Sequence, residues 1–307
     1  MVRRVLISGA SGLVGQALAA ALRARGDTVA SLVRRAPSSP LEIPWDPRGG
    51  WLDPDHLRGF DAVVHLAGEN VGAGRWTAAR RAAIASSRIE GTRLLATSLC
   101  AANAEPPPFV AASATGFYGD RGEERLDEAS APGAGFLAET CVAWEAQAEP
   151  LRARGGRVVH LRTSLVLARK GGALAKMLLP FRLGLGGRIG SGRQWWSWIA
   201  LEDLVAIYLR SLDEPSWSGP INATAPEPVT NLQFTRALGS ALHRPTIFPL
   251  PAFAARLMLG REMANELLLA SARVEPRFLA QHGFAFRYPE LGAALRAVLG
   301  VRGSAPA

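Results

Sequence analysis

Three glycines near the amino terminus have the spacing that binding of a phosphate group requires. Gly9, Gly12 and Gly15 follow an apolar run at residues 5–8 and open an amphipathic stretch over 12–25. The first glycine permits a tight turn, the second lets backbone approach a pyrophosphate, and the third lets a helix pack closely on a strand. A plain strand–helix turn of a flavodoxin-like fold is the alternative. The residues expected to bind a dinucleotide are Gly9, Ser11, Gly12, Leu13, Val14 and Gly15.

Two arginines after the second predicted strand decide which dinucleotide the sequence favours. The strand spans residues 28–33 and is followed by Arg34 and Arg35. An NAD site usually carries an acidic residue here to bind the ribose 2′-hydroxyl, whereas an arginine accommodates the 2′-phosphate of NADP. A solvated pair in an arginine-rich chain is the alternative. The position and the missing acid favour NADP(H) as the cofactor, with Arg34 as a ligand of the phosphate.

Short apolar runs alternate with helical patterns over the first two thirds of the chain. Strands are predicted at residues 5–8, 28–33, 43–45, 61–66, 109–113, 157–168 and 221–225, and helices at 12–25, 77–102, 136–154 and 201–212. This alternation predicts an α/β fold with a Rossmann-type, doubly wound parallel sheet. Ligands of such a sheet bind at the carboxyl ends of its strands.

The pattern changes after residue 168. A glycine-rich stretch over 171–194 precedes a region, from residue 230 onward, of short helical patterns separated by prolines. We predict an NADP-binding Rossmann domain over 1–169 that is completed by about 196–226. A smaller, mainly helical C-terminal substrate lobe is predicted for 170–195 and 227–300, with a tail at 301–307.

Five motifs stand in an order that resembles a known superfamily. They are GASGLVG, HLAG, SRIEGT, SATGFYG and WIALEDLV. This order resembles the short-chain dehydrogenases/reductases, in the extended branch that includes sugar-nucleotide epimerases. It is most similar to an atypical group in that branch, NAD-dependent epimerase/dehydratase-like proteins named only as epimerase family proteins. The resemblance covers roughly residues 3–299 and includes the segments GLGGRIGSGRQWWSWIALEDL and LLLASARVEPRFLAQHGFAF.

The resemblance implies two further groups of cofactor contacts. Leu66, Ala67, Gly68 and Glu69 would form the floor under the adenine ribose, and the strand end at Arg162 and Ser164 would face the nicotinamide. Both groups lie at the carboxyl ends of predicted strands, where open α/β sheets bind ligands.

The acid–base pair of this superfamily is absent. Its enzymes use a tyrosine whose pKa is lowered by a lysine four residues later, beside a serine or threonine that holds the substrate oxygen. No tyrosine of this chain has a lysine at that spacing, and in the register of the family the pair falls on Phe136 and Thr140. Ser87 and Arg88 stand where extended members often have a helical asparagine. The resemblance therefore supports cofactor binding and contradicts the standard mechanism.

Three polar residues remain as catalytic candidates. Ser113 and Thr115 follow a central strand at its carboxyl end, and Tyr118 comes next in the segment FYGD. The alternative for the serine and the threonine is hydrogen bonding to turn backbone. Glu139 is a further option, although an acid in the first turn of a helix also suits the helix dipole.

The second lobe contains a glycine-rich segment, residues 184–198, that also carries Arg188, Arg193 and three tryptophans. Such a segment could close over a nucleotide or another anionic substrate. A hairpin with ordinary packing tryptophans explains it equally well. Asp203 resembles an acid that the family has near its substrate lobe, and a helix-start acid is again the alternative.

Composition limits the classes of partner. The 307 residues are 48% hydrophobic and 20% charged, which is globular composition, and the net charge of +9 includes no block of five like charges. Nucleic acid is therefore not predicted as a partner. The histidines and cysteines lack metal-ligand spacing, so no metal is predicted. Two isolated cysteines favour a reducing compartment, and we predict a cytoplasmic protein.

The amino-terminal segment raises the one targeting question. Residues 5–22 are uncharged and follow two arginines, as in a signal peptide, but the regular glycine spacing favours the nucleotide loop. No other uncharged run reaches the ~20 residues needed to span a bilayer, so no membrane partner is predicted. We expect a small-molecule substrate, with an anionic one as an option, and leave monomer and homodimer open.

Together these features predict an NADP(H)-binding, atypical short-chain dehydrogenase/reductase that lacks the YxxxK pair. It would act as an oxidoreductase or epimerase on a small carbonyl or nucleotide-sugar-like substrate, because the cofactor carries the hydride chemistry. The alternative is a catalytically silent NADP(H)-binding protein with a regulatory or scaffold role.

Overall fold

The computed structural model describes residues 2–301 of the chain. The strands are β1 (Arg4–Ser8), β2 (Thr28–Val33), β3 (Glu42–Pro44), β4 (Ala62–His65), β5 (Phe109–Ala114), β6 (Arg125–Leu126), β7 (Val158–Thr163), β8 (Leu165–Leu167), β9 (Trp195–Trp196), β10 (Trp198–Ala200), β11 (Gly219–Ala223), β12 (Val229–Thr230) and β13 (Arg273–Val274). The helices are α1 (Leu13–Ala24), α2 (Ala78–Ala102), α3 (Phe136–Ala146), α4 (Glu149–Ala153), α5 (Gly172–Arg182), α6 (Leu201–Asp213), α7 (Asn231–Leu242), α8 (Ala252–Leu259), α9 (Arg261–Ala264), α10 (Arg277–Gln281) and α11 (Leu291–Leu299). Short 3-10 turns at Pro54–Leu57 and Thr115–Tyr118 and a π-helical turn at Asn265–Leu269 complete the set.

Seven strands form one sheet in the order β11–β7–β5–β4–β1–β2–β3. Every neighbouring pair in this sheet is parallel. The chain builds outward from β1 in both directions, so the winding reverses between β1 and β4. The crevice at that switch point is where doubly wound sheets bind nucleotides. The predicted α/β, Rossmann-type parallel sheet is confirmed.

The sheet is covered on both faces, as its nearly continuous apolar strands require. Val5 and Ile7 of β1 pack with α1 and α6 in one buried cluster. Leu6, between them, points the other way and packs with α2 in a second cluster. Alternate residues of one strand therefore serve two layers. This rigid centre holds the strand ends on which the candidate site is built.

Two predicted elements are divided in the structure. The strand expected over 157–168 becomes β7, in the main sheet, and β8, which leaves the sheet to pair with β10. The helix expected over 136–154 becomes α3 and α4, and Pro150 lies in the first turn of the second piece. Proline suits a helix start but not its interior, which explains the break. One helix, α5, lies within the stretch that the sequence showed only as glycine-rich.

A separate apolar cluster lies beyond the sheet. It joins α5, α7 and α11 through residues such as Leu174, Phe234 and Leu295. The two-domain boundaries stay a prediction, since the strands β8 and β10 contribute to this cluster as well.

Neither a membrane-crossing helix nor a metal-binding group of side chains is found within residues 2–301. No helix there combines the length and the apolar character that a bilayer span needs. No three His, Cys, Asp or Glu side chains of that range come together as metal ligands. Cys100 and Cys141 are both buried and free.

A buried serine–histidine pair ties β1 to β4. The Ser8 hydroxyl oxygen accepts the N–H groups of Leu66 at 3.1 Å and Ala67 at 3.2 Å. Its own proton is therefore directed at Nδ1 of His65, 2.6 Å away. Burial lowers the pKa of His65 to about 3, so the ring stays neutral with its proton on Nε2. The pair fixes the turn that follows β4.

Asp203, at the start of α6, has a structural task. Its carboxylate is buried and accepts the N–H groups of Arg287 at 2.7 Å and Tyr288 at 3.0 Å. It therefore ties α6 to the segment that leads into α11.

We expect stability to fall as the pH drops from 6.5 to 5. Burial lowers the pKa of His65 to about 3 and that of His160 to about 4, so the unfolded chain binds more protons than the folded one in this window. The contribution of the two neutral histidines to stability is fully present above pH 6.5. It is lost as the pH falls towards their pKa values in the folded protein. The two groups together predict a loss of about 2 kcal/mol between pH 6 and 5. Urea unfolding at several pH values tests this, His160→Gln should remove about half of the slope, and a flat profile would contradict it.

Asp203→Ala should lower the free energy of unfolding by about 1–3 kcal/mol, because two backbone N–H groups lose their acceptor. Asp203→Asn keeps one acceptor oxygen and serves as the matched control, with a smaller loss. Urea unfolding at pH 7 measures both variants. Equal stability of the alanine variant and the wild type would show that the carboxylate does not hold the segment.

Candidate functional site

The glycine loop packs directly on the turn after β4. Gly9 has a φ of +71°, and a Cβ atom placed there would lie 2.8 Å from the nitrogen of Ala67. A Cβ atom on Gly15 would lie 2.3 Å from the carbonyl oxygen of Gly9. Gly9 therefore needs glycine for its positive φ. Both Gly9 and Gly15 need it because neighbouring backbone leaves no room for a side chain. The structure thus brings the predicted loop residues together with Leu66 and Ala67.

The start of α1 offers N–H groups without a protein acceptor in the first turn. Its N-cap is Gly12, which has no side chain to accept them, and the first turn contains no acidic residue. The N–H groups of Leu13, Val14 and Gly15 then face the crevice at the helix end, where the dipole favours an anion. This geometry suits a pyrophosphate.

Three arginines converge on Glu69, directly after that turn. The distances from its carboxylate are 3.9 Å to Arg34, 3.3 Å to Arg48 and 3.3 Å to Arg80. Three positive charges against one negative charge leave a net charge of about +2 in one place. Sequence reasoning found Arg34 and Glu69 but missed Arg48 and Arg80, because these lie in a loop and a helix that only the fold brings close.

Arg35 is engaged elsewhere. Its guanidinium binds both carboxylate oxygens of Glu42, at 2.9 and 2.5 Å. The hydrogen bonds from Arg35 and from Ser38 lower the pKa of Glu42 to about 2, so the ion pair persists at any ordinary pH. Of the two adjacent arginines, only Arg34 faces the Glu69 cluster.

Ser87 and Arg88 hold the backbone of Glu69. Its N–H group donates to the Ser87 hydroxyl at 3.0 Å, and its carbonyl oxygen accepts from Arg88 at 2.9 Å. The Arg88 guanidinium also lies 5.1 Å from the ring centre of Trp144. An asparagine amide contains both a donor and an acceptor, whereas here two neighbouring residues divide these tasks. The replacement therefore keeps the turn in place.

A buried polar network joins the ends of β5 and β7. Ser113 donates to Glu145 at 2.6 Å, and Arg162 binds both oxygens of that carboxylate at 2.9 Å. Another N–H group of Arg162 donates to the Tyr118 hydroxyl at 3.1 Å. The tyrosine in turn donates to Asn222 at 2.7 Å. The structure thus unites Ser113, Tyr118 and Arg162 with two residues that the sequence did not single out.

The resting protonation states in this network follow from burial and pairing. Burial opposes the charge of Glu145, but the paired guanidinium of Arg162 outweighs it and lowers the pKa of that carboxyl group. Burial raises the pKa of Tyr118, so its phenol stays protonated. The Arg162 side chain is only 5% exposed and lies over the ring of Phe117, with its central carbon 3.4 Å from the ring centre. A bidentate, stacked arginine of this kind is rigidly held.

Thr115 and Ser164 lie at the edges of this network. The Thr115 side chain is partly exposed and makes no hydrogen bond within residues 2–301, so its hydroxyl is available to a ligand. Ser164 donates to the carbonyl oxygen of Ala223 at 3.2 Å and ties β7 to β11. Glu139 is exposed on α3.

The helix that would carry the missing tyrosine begins at Phe136. Glu266 of the second lobe accepts the N–H groups of Phe136 at 3.0 Å and Leu137 at 2.8 Å. The ring of Trp76 meets the ring of Phe136 edge to face at 5.1 Å. Thr140, at the lysine position, is buried. The helix is therefore anchored by packing and capping, and neither position supplies a proton donor or a charge.

The tryptophans of the glycine-rich segment pack and donate hydrogen bonds to other parts of the protein. Trp198 is buried and donates to the carbonyl oxygen of Glu227 at 3.0 Å, and Trp195 donates to Glu123 at 2.6 Å. Trp196 packs against Phe234. These contacts agree with the packing interpretation of the glycine-rich segment, while Arg188 and Arg193 are exposed.

Comparison with known proteins places this geometry in a family. Residues 5–222 match the NAD dependent epimerase/dehydratase family, and residues 250–298 match a domain of unknown function, DUF1731. The chain is 45% identical to the epimerase family protein Mb2239 of Mycobacterium bovis over 95% of this chain and 96% of that one. It is 39% identical to human epimerase family protein SDR39U1, over 96% and 99% of the two chains.

A solved structure has the same fold. The crystal structure of human SDR39U1 (isoform2) with NADPH superposes with a TM-score of 0.88 at 37% identity, and covers 97% of this chain and 99% of that one. The family model spans most of the chain and the identities extend over nearly its full length. The chain therefore belongs to the NAD dependent epimerase/dehydratase family, among its epimerase family proteins of the SDR39U1 type.

Proposed function

We propose that the protein is an NADP(H)-dependent oxidoreductase or epimerase-like enzyme that acts on a small carbonyl or nucleotide-sugar-like substrate. The observation that carries the cofactor assignment is the convergence of Arg34, Arg48 and Arg80 on the single carboxylate of Glu69. A 2′-phosphate is a phosphate monoester with a charge of about −1.5 to −2 at neutral pH. That charge matches the net charge of the cluster.

The arginines nearest the solvent suit this ligand best. The side chains of Arg34 and Arg48 are 66% and 78% exposed, so both can turn from Glu69 to a phosphate without unpacking the core. The human relative was crystallised with NADPH, which supports the same choice for this chain. The pyrophosphate would lie at the start of α1, on the N–H groups of Leu13 and Val14.

The substrate side of the proposal rests on Ser113, Thr115 and Glu145. The bound nicotinamide would supply the hydride chemistry. Thr115 offers a free hydroxyl, and Ser113 keeps lone pairs for a substrate oxygen while its proton points to Glu145. In the direction of alcohol oxidation, Ser113 would accept the substrate proton as its own proton passes to the ionised Glu145. Tyr118 belongs to the site through Arg162, whose guanidinium it helps to fix.

This route replaces tyrosine and lysine by a serine backed by a carboxylate. The ion pair with Arg162 keeps Glu145 ionised in the resting state, so its carboxylate is open to a proton, while its lowered pKa makes it a weak base. Phe136 has no group for proton transfer, and its ring packs on Trp76.

Arg34→Gln should weaken NADPH binding by about 10- to 100-fold, because one charge-assisted contact to the 2′-phosphate is lost. NADH binding should stay nearly constant, since that cofactor lacks the phosphate. Arg35→Gln is the matched control on the neighbouring residue, whose guanidinium is held by Glu42. Calorimetry with both nucleotides measures the effect. An equal loss for the two variants, or no loss for Arg34→Gln, would contradict the phosphate assignment.

Ser113→Ala should slow hydride transfer by about 100-fold or more while NADPH affinity stays within about threefold, because only the proton route is removed. The measurement is NADPH turnover over a panel of carbonyl compounds and nucleotide sugars. Tyr118→Phe is the control: it removes a hydroxyl outside the route and should have a smaller effect. The enzyme proposal would be contradicted if the wild-type protein bound NADPH tightly but turned over no member of a broad panel. That result would favour the alternative, a catalytically silent NADP(H)-binding protein. Full turnover in Ser113→Ala would contradict the route alone.

A further inference from the structure

Large apolar side chains are exposed along one side of the second lobe. Leu179 and Leu183 lie at the end of α5, Leu185 lies in the loop that follows, and Ile247 and Phe248 lie in the loop before α8. These five side chains are between 54% and 71% exposed. Single exposed apolar residues are ordinary on protein surfaces, but a group of this size marks an interaction site.

The two loops run side by side. The Arg244 guanidinium donates to the carbonyl oxygen of Arg182 at 2.8 Å, and the N–H group of Leu250 donates to the carbonyl oxygen of Arg188 at 2.9 Å. A Cβ atom on Gly184 would lie 3.8 Å from Pro245. The five side chains are therefore carried by adjoining segments.

Helix α8 follows the second of these loops and carries three more exposed apolar side chains. It begins at Ala252, two residues after the paired loop, and its side chains Phe253, Leu257 and Met258 are 73%, 74% and 62% exposed. We call the eight exposed apolar residues of α5, α8 and the two loops the apolar face.

The segments that carry the apolar face contain no carboxylate. Residues 171–201 and 228–261 include no aspartate or glutamate. Their lysine and arginine residues are Lys176, Arg182, Arg188, Arg193, Arg236, Arg244, Arg256 and Arg261. None of these cations forms an ion pair within residues 2–301, although sixteen ion pairs occur elsewhere in that range. The segments that carry the apolar face therefore contain eight cations that no ion pair within residues 2–301 neutralises.

We propose that the apolar face docks on the surface of a bilayer that contains anionic phospholipid. Leucine and phenylalanine side chains can enter the boundary between headgroups and acyl chains, while arginine and lysine pair with the lipid phosphates. A second copy of the chain fits less well, because a two-fold interface would bring the same uncompensated cations against each other. The sequence predicts no membrane partner because spanning segments are absent, but docking on one leaflet needs none.

The test is co-sedimentation of the full-length protein with vesicles. One set is phosphatidylcholine alone, and the other is roughly three parts phosphatidylcholine to one part phosphatidylglycerol. The wild type should bind the second set and not the first, and added salt should weaken the binding. Leu183→Ser with Phe248→Ser should reduce affinity at least tenfold. Leu41→Ser with Val142→Ser changes two apolar residues that are 45% and 42% exposed elsewhere, and should leave binding unchanged.

A second pair of variants tests the charge. The side chains of Arg182 and Arg261 are exposed and form no ion pair among the described residues, so Arg182→Gln with Arg261→Gln should weaken binding at least tenfold without a loss of stability. Arg23→Gln with Arg296→Gln removes the same charge from α1 and α11 and is the matched control. Absence of vesicle binding by the folded wild type, or equal losses in test and control variants, would overturn the proposal. Sedimentation velocity that shows a dimer dispersed by Leu183→Ser with Phe248→Ser would assign the face to a second copy instead.

Discussion

The close contact between the glycine loop and the turn after β4 is the constraint on which the candidate site depends. Backbone lies against backbone there, at distances that admit no Cβ atom on Gly9 or Gly15. The Ser8–His65 pair also holds this turn, because the Ser8 hydroxyl accepts the N–H groups of Leu66 and Ala67. This packing sets the position of the turn and of Glu69, which follows it. The neutral, buried histidine makes the arrangement independent of pH near neutrality.

The polar residues at the strand ends differ from those of the superfamily in type as well as in position. A tyrosine and a lysine on one helix are replaced by Phe136 and Thr140, which are held by packing and capping. A fixed ion pair, Glu145 with Arg162, stands beside Ser113 instead. Burying an unpaired carboxylate or guanidinium would cost several kcal/mol. Here the two groups form a bidentate pair whose other polar atoms are hydrogen-bonded, so both stay charged. The polar groups at these strand ends are therefore a serine hydroxyl and an ionised carboxylate, and not a tyrosine and a lysine.

Three contacts join α5 and the segment 261–269 to the side of the molecule that carries α2 and α3. Glu266 caps α3 from the second lobe, and Lys176 of α5 donates to the carbonyl oxygen of Gly72 at 2.5 Å. The Arg81–Glu262 ion pair, at 2.6 Å, adds a third connection. The loop after the Glu69 turn therefore contacts α5.

Four features can be predicted from the amino-acid sequence: the parallel α/β sheet, the glycine loop, an arginine in place of an acid at residue 34, and the lack of a tyrosine–lysine pair. These are local properties: apolar periodicity, a glycine spacing within one turn, and residue type at a strand end. The surroundings of Glu69 depend on the fold. Arg48 lies in the loop after β3 and Arg80 lies on α2, and both reach the carboxylate that follows β4. The fold also decided that Arg35 is engaged by Glu42, and that Glu145 and Asn222 complete the network of Ser113 and Tyr118. Contacts between side chains of distant segments depend on how the strands and helices pack. A sequence pattern describes only neighbouring residues and therefore does not predict them.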